Sequence, residues 1–333
     1  MKNNKYIGHD SQIYGIEEHR LVGGKGDGMR LLQVKNGRGL EFTVSLDRCA
    51  DISRLSLDGK NLGYFSPCGY VNAPYYDDKA SGFLKSFTAG FLTTCGLSAV
   101  GSPCVDQGEE LPLHGTISNC PAEWASYEEE DAFLRIRARI NQMSIFGTKL
   151  ILHREILCSL EKNEIVIKDK IENRGDSTVP VMILYHMNMG YPLLSEKAIL
   201  HIPSRKVTPR NEHAAEDLDT WDRILEPTPG FEEQCYFHEF EKDGLAVLYN
   251  PEIEKGLAVQ FDASNLDYFI EWKMMGEKDY VLGLEPGNCH PDGRDKMRAE
   301  NRLKMLGPDE SVNYEVKLTF IAAADEWKNW EKK

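Results

Sequence analysis

Apolar and polar residues alternate with a period of two along most of the chain. Residues 40–46 alternate without interruption, and residues 134–141 place four apolar side chains on one face and three arginines with an asparagine on the other. Successive side chains of a β-strand point to opposite faces, so this period predicts strands with one buried face. Further strands are predicted at 165–171, 179–185, 245–249, 257–261, 268–273, 280–284 and 314–321.

Turn sequences separate these strands, and helical patterns are scarce. Glycine, asparagine, aspartate and proline cluster at 58–59, 173–176, 242–244 and 307–309, and only 212–218 and 325–333 have a helical pattern. Many strands joined by turns are typical of packed antiparallel sheets, either a sandwich or a barrel. At 333 residues we predict a large all-β sandwich. Because no linker or repeat marks a boundary, we predict one domain over 1–333, with 1–38 as an N-terminal extension packing on the sheets.

Charge and hydropathy narrow the classes of partner. The chain has 39 Lys and Arg against 53 Asp and Glu, a formal net charge of −14. Such a protein repels polyanions, so nucleic acid and anionic membrane surfaces are not expected as partners. No apolar stretch approaches the ~20 residues of a membrane helix, and the first residues lack the apolar core of a signal peptide. We therefore expect a cytoplasmic protein without membrane contact.

Three segments place an acid–base residue at the edge of an apolar run. They are Leu113-His114-Gly115, Leu184-Tyr185-His186-Met187-Asn188 and Leu282-Gly283-Leu284-Glu285-Pro286. Histidine titrates near neutral pH, and burial can raise a glutamate pKa toward the same range. Two histidines and a glutamate can therefore donate one proton while removing another. The eight cysteines are scattered without metal-ligand spacing, so we expect neither a metal nor a cofactor.

The order of these motifs resembles that of the aldose 1-epimerase (galactose mutarotase) superfamily, most closely its bacterial branch of mutarotase-like proteins. The resemblance runs from about residue 40 to 320 and rests on the ordered set: residues 87–101, Pro112-Leu113-His114-Gly115, Tyr185-His186 with Asn188, residues 202–209, and Gly283-Leu284-Glu285. It implies a β-supersandwich with the site on the concave face of one sheet.

The resemblance also implies roles for single residues. Glu285 corresponds to the general base, His186 to the general acid, and His114 to the histidine that holds the substrate. Residues 92–97 lack the arginine that the family has before the leucine-histidine-glycine motif, and Arg48 is the candidate replacement. The family's sugar-binding aspartate corresponds to the neighbourhood of Glu233-Gln234, where Gln234 is the candidate.

Three more substrate-binding candidates come from their positions near these residues. Trp272 could stack on the apolar face of a sugar ring, and Lys273 follows it on the same predicted strand. Asn188 lies two residues after His186 and could bond to it or to a substrate. Structural roles compete with the functional ones: Glu285 could pair with Lys273, His186 could bond to a backbone carbonyl, and His114 could shape a turn.

The implied activity is an aldose 1-epimerase-type isomerase acting on a free sugar. Its acid and base open and reclose the ring to interconvert anomers, and we expect them on opposite sides of the bound pyranose. The alternative is a carbohydrate-binding or sugar-sensing protein that keeps the fold without catalysis. Either class has a small carbohydrate as partner. The identity of the sugar and the oligomeric state, a dimer included, stay open.

Overall fold

The computed structural model describes residues 5–333, and most of its regular secondary structure is β-strand. In chain order the strands are β1 (Gly15–Arg20), β2 (Arg30–Lys35), β3 (Leu40–Ser45), β4 (Asp51–Leu57), β5 (Lys60–Asn61), β6 (Tyr64–Phe65), β7 (Ala89–Gly90), β8 (Leu92–Leu97), β9 (Cys104–Asp106), β10 (Glu109–Leu111), β11 (Ala122–Glu129), β12 (Phe133–Met143), β13 (Lys149–Ser159), β14 (Glu164–Asn173), β15 (Val179–Pro180), β16 (Met182–Met189), β17 (Ile199–His201), β18 (Lys206–Pro209), β19 (Gln234–Glu239), β20 (Asp243–Asn250), β21 (Lys255–Asp262), β22 (Tyr268–Met275), β23 (Tyr280–Gly287), β24 (Met305–Leu306) and β25 (Ser311–Ile321).

Helices are few and short in this part of the chain. The α-helices are α1 (Glu212–Glu216), α2 (Arg294–Ala299) and α3 (Ala324–Trp327), and single 3₁₀ turns lie at Asp10–Gln12, Gly24–Gly26, Ala73–Tyr75, Gly82–Lys85, Ile117–Asn119 and Leu218–Thr220. Within residues 5–333, no helix has the length and apolar character needed to cross a membrane.

Three antiparallel sheets form the body of the protein. The eight-stranded sheet has the order β11-β12-β13-β14-β25-β21-β20-β17, the six-stranded sheet β18-β19-β22-β23-β16-β8, and the five-stranded sheet β1-β2-β3-β4-β5. One continuous cluster of buried apolar side chains joins all three, with Phe42, Leu152 and Met187 as examples from each sheet. Burial of this area is the main stabilising term of such a fold. The predicted all-β antiparallel sandwich is confirmed.

The predicted N-terminal extension is in part a component of a sheet. β1 and β2 pair with each other, and β2 continues onto β3 in regular antiparallel register. Leu32 and Val34, two residues apart on β2, are buried in the core, which is why this segment joins a sheet instead of lying over one. Residues 1–4 of the predicted extension lie outside the described part of the chain. The single-domain organisation stays a prediction.

A buried polar network ties the sheets together behind the site. Arg154, on β13, donates to Asp51 Oδ1 on β4 and to Asp169 Oδ2 on β14, each at 2.6 Å. Tyr185, on β16, donates its hydroxyl to the same Asp169 oxygen at 2.9 Å. The Arg154 side chain is fully buried, so its charge depends on these two carboxylates. Because Tyr185 precedes His186, the network also holds β16 in position.

Candidate active site

A cavity of about 280 Å³ lies over the outer face of the six-stranded sheet. Side chains of β16, β19, β22 and β23 form its floor, and loops form its walls. The lining residues are Phe83, Leu84, Phe87, Gly101, Ser102, Leu113, His114, His186, Arg210, Glu233, Cys235, Ile270, Trp272, Glu285 and Pro291. A larger groove, of about 610 Å³, crosses the eight-stranded sheet, but its Arg137 and Glu155 are already bound to each other. The smaller cavity contains the acid–base side chains of His114, His186 and Glu285, and the site is therefore built from it.

His186 and Glu285 face each other across two neighbouring strands. Met187 pairs with Leu284 and Leu184 with Gly287, so the register brings His186 opposite Glu285. His186 Nδ1 lies 3.2 Å from Glu285 Oε1, and the two side chains are only 6% and 3% exposed. Neither atom has an aligned hydrogen-bond partner within residues 5–333. We expected the two groups on opposite sides of a sugar, but they are neighbours on one floor because the strands are adjacent.

Burial favours the uncharged form of both groups. Desolvation raises the pKa of Glu285 well above its usual range, the Glu233 charge raises it further, and Arg210 opposes the shift. Desolvation also lowers the pKa of His186 to about 3, with repulsion from His114 adding to it. The opposite shifts favour one proton on the pair, held by Glu285 while His186 is neutral.

Gly283 provides the room for the Glu285 carboxylate. Gly283 and Glu285 lie two residues apart on β23 and so project to the same face. A β-carbon at Gly283 would lie 2.2 Å from Glu285 Oε1 and 3.1 Å from the β-carbon of Trp272. Any larger residue here would push the carboxylate away from its present place.

His114 enters the cavity from a loop with left-handed backbone. Its φ is +59°, and its backbone is held by a bond from His114 N to Gly101 O and one from Gly96 N to His114 O. Its ring centroid lies 5.5 Å from that of His186. Burial lowers the pKa of His114 to about 4, and the Arg210 charge contributes to the shift. The imidazole is therefore neutral at physiological pH, with an Nδ1 that has no aligned partner among the described residues.

Arg210, Glu233 and Trp272 form the polar rim. Arg210 Nε donates to Asp292 Oδ1 at 3.0 Å, which orients the guanidinium toward the cavity. Trp272 Nε1 donates to Glu233 Oε2 at 2.8 Å, and the indole meets the His186 ring edge-on at 5.3 Å. Sequence reasoning missed Arg210 and Glu233 as site residues. Glu233 directly precedes the candidate Gln234, and Arg210 follows β18 at the point where that strand reaches the cavity.

Four of the predicted binding residues lie outside the cavity. Gln234 and Lys273 point to the opposite face of the sheet, where they bond to Asp217 and to the carbonyls of Trp221 and Arg223. Each is one residue away from a lining residue, and one step along a strand reverses the face. Asn188 is fully buried and donates to the His186 carbonyl. Arg48 is buried among backbone carbonyls. His114, His186, Trp272 and Glu285 are the predicted residues that meet in one place.

The acid–base side chains are not arranged as metal ligands. Over residues 5–333, no group of three or more His, Cys, Asp or Glu side chains is placed to hold a metal ion.

Fold and cavity together define a galactose mutarotase-like β-sandwich, and comparisons with known proteins agree. The chain belongs to the family described as a domain of unknown function, DUF4432, whose profile matches residues 26–320. A solved structure from Klebsiella pneumoniae, provisionally named an aldose 1-epimerase, is 26% identical with a TM-score of 0.89 and covers 97% of this chain and 89% of its own. No curated protein matches the chain at a significant level.

Two more distant structures share the fold. A galactose 1-epimerase from Lactobacillus acidophilus is 14% identical with a TM-score of 0.63, covering 92% of this chain and 98% of its own. A galactose mutarotase-like protein from Clostridium acetobutylicum is 12% identical with a TM-score of 0.64, covering 93% and 99%. The predicted resemblance to the aldose 1-epimerase superfamily is confirmed as a relationship of fold.

Proposed function

We propose that this protein is an aldose 1-epimerase-type isomerase that interconverts the anomers of a free sugar. The observation that carries the proposal is the His186–Glu285 pair, 3.2 Å apart on the floor of a cavity of about 280 Å³. A pair that shares one proton can give it to one oxygen and accept another in return. The Klebsiella pneumoniae protein with the provisional name aldose 1-epimerase supports the same reaction class.

The reaction requires two proton transfers, one at each of the two oxygens bonded to C1. The proton that rests on Glu285 first passes to His186 across their 3.2 Å contact. Ionised Glu285 then removes the proton of the C1 hydroxyl while protonated His186 donates to the ring oxygen, and the C1–ring-oxygen bond breaks to leave an aldehyde. After rotation about the C1–C2 bond the transfers reverse, and the ring closes to either anomer. Both oxygens are bonded to C1, so an acid and a base that are neighbours can reach them together. No atom or electron is left over.

The remaining cavity groups suit a neutral sugar. Trp272 and the phenylalanines offer apolar faces for the ring, while His114 and Arg210 offer polar groups for hydroxyls. The Arg210 charge is offset by Asp292 at 3.0 Å, and Glu233 adds a negative charge at the rim. We therefore propose a neutral aldose as substrate and expect anionic sugars to be disfavoured.

The test is anomeric exchange, measured by NMR saturation transfer over a panel of free aldoses. The Glu285→Gln variant should lose about 10²–10⁴-fold of the acceleration, the usual contribution of a positioned base. Glu271→Gln is the matched control, because Glu271 is a buried glutamate of the same sheet that faces away and contacts His238. Equal activity in wild type and Glu285→Gln would contradict the proposal. If no aldose exchanges faster but some raise the melting temperature, the non-catalytic sugar-binding alternative replaces it.

A further inference from the structure

A long loop, residues 66–88 (the cavity loop), covers one side of the site. It leaves the body of the protein after β6 and returns at β7, and these two strands pair with each other. Ser66 N donates to Thr88 O at 3.0 Å, and the Ser66 hydroxyl donates to Phe87 O at 2.5 Å, so the loop is closed at its base.

Two phenylalanines of this loop pack on the two histidines of the site. Phe83 lies 5.2 Å from the His114 ring and Phe87 lies 5.4 Å from the His186 ring, centroid to centroid. Phe83 and Phe87 also contact each other at 4.9 Å. This aromatic wall covers one side of the imidazoles and contributes to their burial, and burial is the largest cause of their lowered pKa values.

Arg48 holds the cavity loop from below. Its Nη1 donates to Val71 O at 2.7 Å and to Ser86 O at 3.1 Å, two points near opposite ends of the loop. Its Nε donates to Ser118 O at 2.7 Å, in the segment that follows His114. The side chain is buried, and its hydrogen-bond acceptors are carbonyls of three separate stretches of backbone.

A guanidinium group suits these contacts because it can donate hydrogen bonds to several carbonyls at once. Arginine directs several donors along fixed directions, whereas lysine presents one compact charge. Loss of one carbonyl contact would leave a buried acceptor unsatisfied, which would destabilise the attachment of the loop. Burial lowers the pKa of Arg48 to about 10, which still keeps it charged at neutral pH.

We propose that Arg48 is a positioning residue that fixes the cavity loop, so that Phe83 and Phe87 keep water away from His114 and His186. Its effect on turnover rests on the proposed function, but its effect on the loop does not. Arg48 itself does not line the cavity, so it acts on the site through the segments that it holds and not by contact with a ligand.

Release of the loop should hydrate both imidazoles. Their pKa values would then rise toward the usual ~6.5, since desolvation is the largest cause of each shift. The other charged or titratable groups of the cavity are Glu285, Arg210, Glu233 and the Cys235 thiol, and none of them belongs to the loop. A general loss of stability in a still-folded protein would not change the surroundings of these imidazoles.

The experiment is an NMR titration of the imidazole protons in the ligand-free protein, comparing wild type with Arg48→Lys. Signals are assigned with His114→Asn and His186→Asn variants. We expect Arg48→Lys to raise both pKa values by at least about one unit and to lower kcat/KM by about 10–100-fold. Arg30→Lys is the control, because Arg30 makes a comparable set of bonds, to Asp47 and Ala122 O, without touching the loop.

Titration curves that match wild type in Arg48→Lys, or that move equally in Arg30→Lys, would overturn the proposal. If Arg48→Lys does not fold, Ser66→Ala replaces it in the titration, because it removes a second hydrogen bond that holds the loop. Unchanged imidazole titrations in Ser66→Ala would then overturn the proposal. The titration needs no substrate. A wild type without isomerase activity would therefore contradict the proposed function, while a shifted titration would still support the role of Arg48.

Discussion

Gly283→Ala should reduce activity by about 10²-fold while leaving the protein folded. Gly283 is buried in the middle of β23, and its backbone is not in the left-handed region, so alanine can adopt its conformation. The added methyl group would lie 2.2 Å from Glu285 Oε1. The far end of the glutamate side chain can rotate away, and the Trp272 β-carbon, at 3.1 Å, has to shift by only a few tenths of an ångström.

The magnitude follows from the distance that the carboxylate must travel. An ordinary contact is about 3.5 Å, so Oε1 has to retreat by more than about 1 Å. A misplacement of about 1 Å at a reacting group can reduce the rate by about 10²-fold. Alanine also removes a strand glycine penalty of roughly 0.5–1 kcal/mol, which offsets part of the crowding. We expect a loss of about 10²-fold in kcat/KM with a melting temperature within a few degrees of wild type.

The assay is anomeric exchange by NMR, with the melting temperature measured on the same samples. Gly276→Ala is the matched control, since its nearest contact is the flexible end of Met274 at 3.1 Å, outside the cavity. Activity of Gly283→Ala within about threefold of wild type, at equal stability, would refute the idea that the Glu285 position controls the reaction. A variant that unfolds would instead show that Gly283 is needed for the sheet.

Three other outcomes test the charges of the site and core. The kcat/KM should stay near its maximum from mildly acidic to neutral pH. The lowered pKa of His186 and the raised pKa of Glu285 widen the pH range in which the pair holds one proton. A fall in kcat/KM on the acidic side with a midpoint at pH ~6.5 would contradict this. Folding stability should decrease as pH falls from ~6.5 toward 4, because the unfolded chain protonates His114 first. Asparagine tolerates the positive φ of this position, so His114→Asn should reduce the pH dependence of the free energy of unfolding by at most about 1.4 kcal/mol per pH unit. The same pH dependence in both proteins, measured by urea denaturation, would contradict it. Arg154→Met should lower the free energy of unfolding by about 3–5 kcal/mol in the same urea denaturation, since it leaves the buried carboxylates of Asp51 and Asp169 without their cation. A loss under about 1 kcal/mol would contradict the role of this network.

Strands whose two faces differ could be predicted from their alternation. β12 and β25 alternate between buried and exposed positions, and their period of two is plain in the sequence. β8 was missed because its six buried residues include two threonines and a glycine, so the segment shows neither alternation nor a continuous apolar run. β13 was missed for another reason: its inward positions include Arg154, whose charge is neutralised only by residues distant in sequence.

The site could be predicted only where a residue type carries its own chemistry. His114, His186 and Glu285 are acid–base residues beside apolar runs, and they meet in the cavity. Alternation does not reveal which face of a strand points to the cavity, so the sequence offered both Trp272 and Lys273 as binding residues although only Trp272 lines the cavity. Arg48 illustrates a further limit. Its partners are backbone carbonyls, and a carbonyl leaves no signal in the sequence.

The acid–base pair depends on the register of two strands more than on either residue alone. Adjacent strands are about 4.8 Å apart, so directly opposed side chains are held within reach of each other without any loop. A slip of one residue between β16 and β23 would place Glu285 opposite Tyr185 or Met187, whose side chains lie in the core between the sheets. The Arg154 network and the buried face of β16 oppose such a slip. The geometry for two proton transfers at one carbon is therefore set by the same packing that stabilises the sandwich.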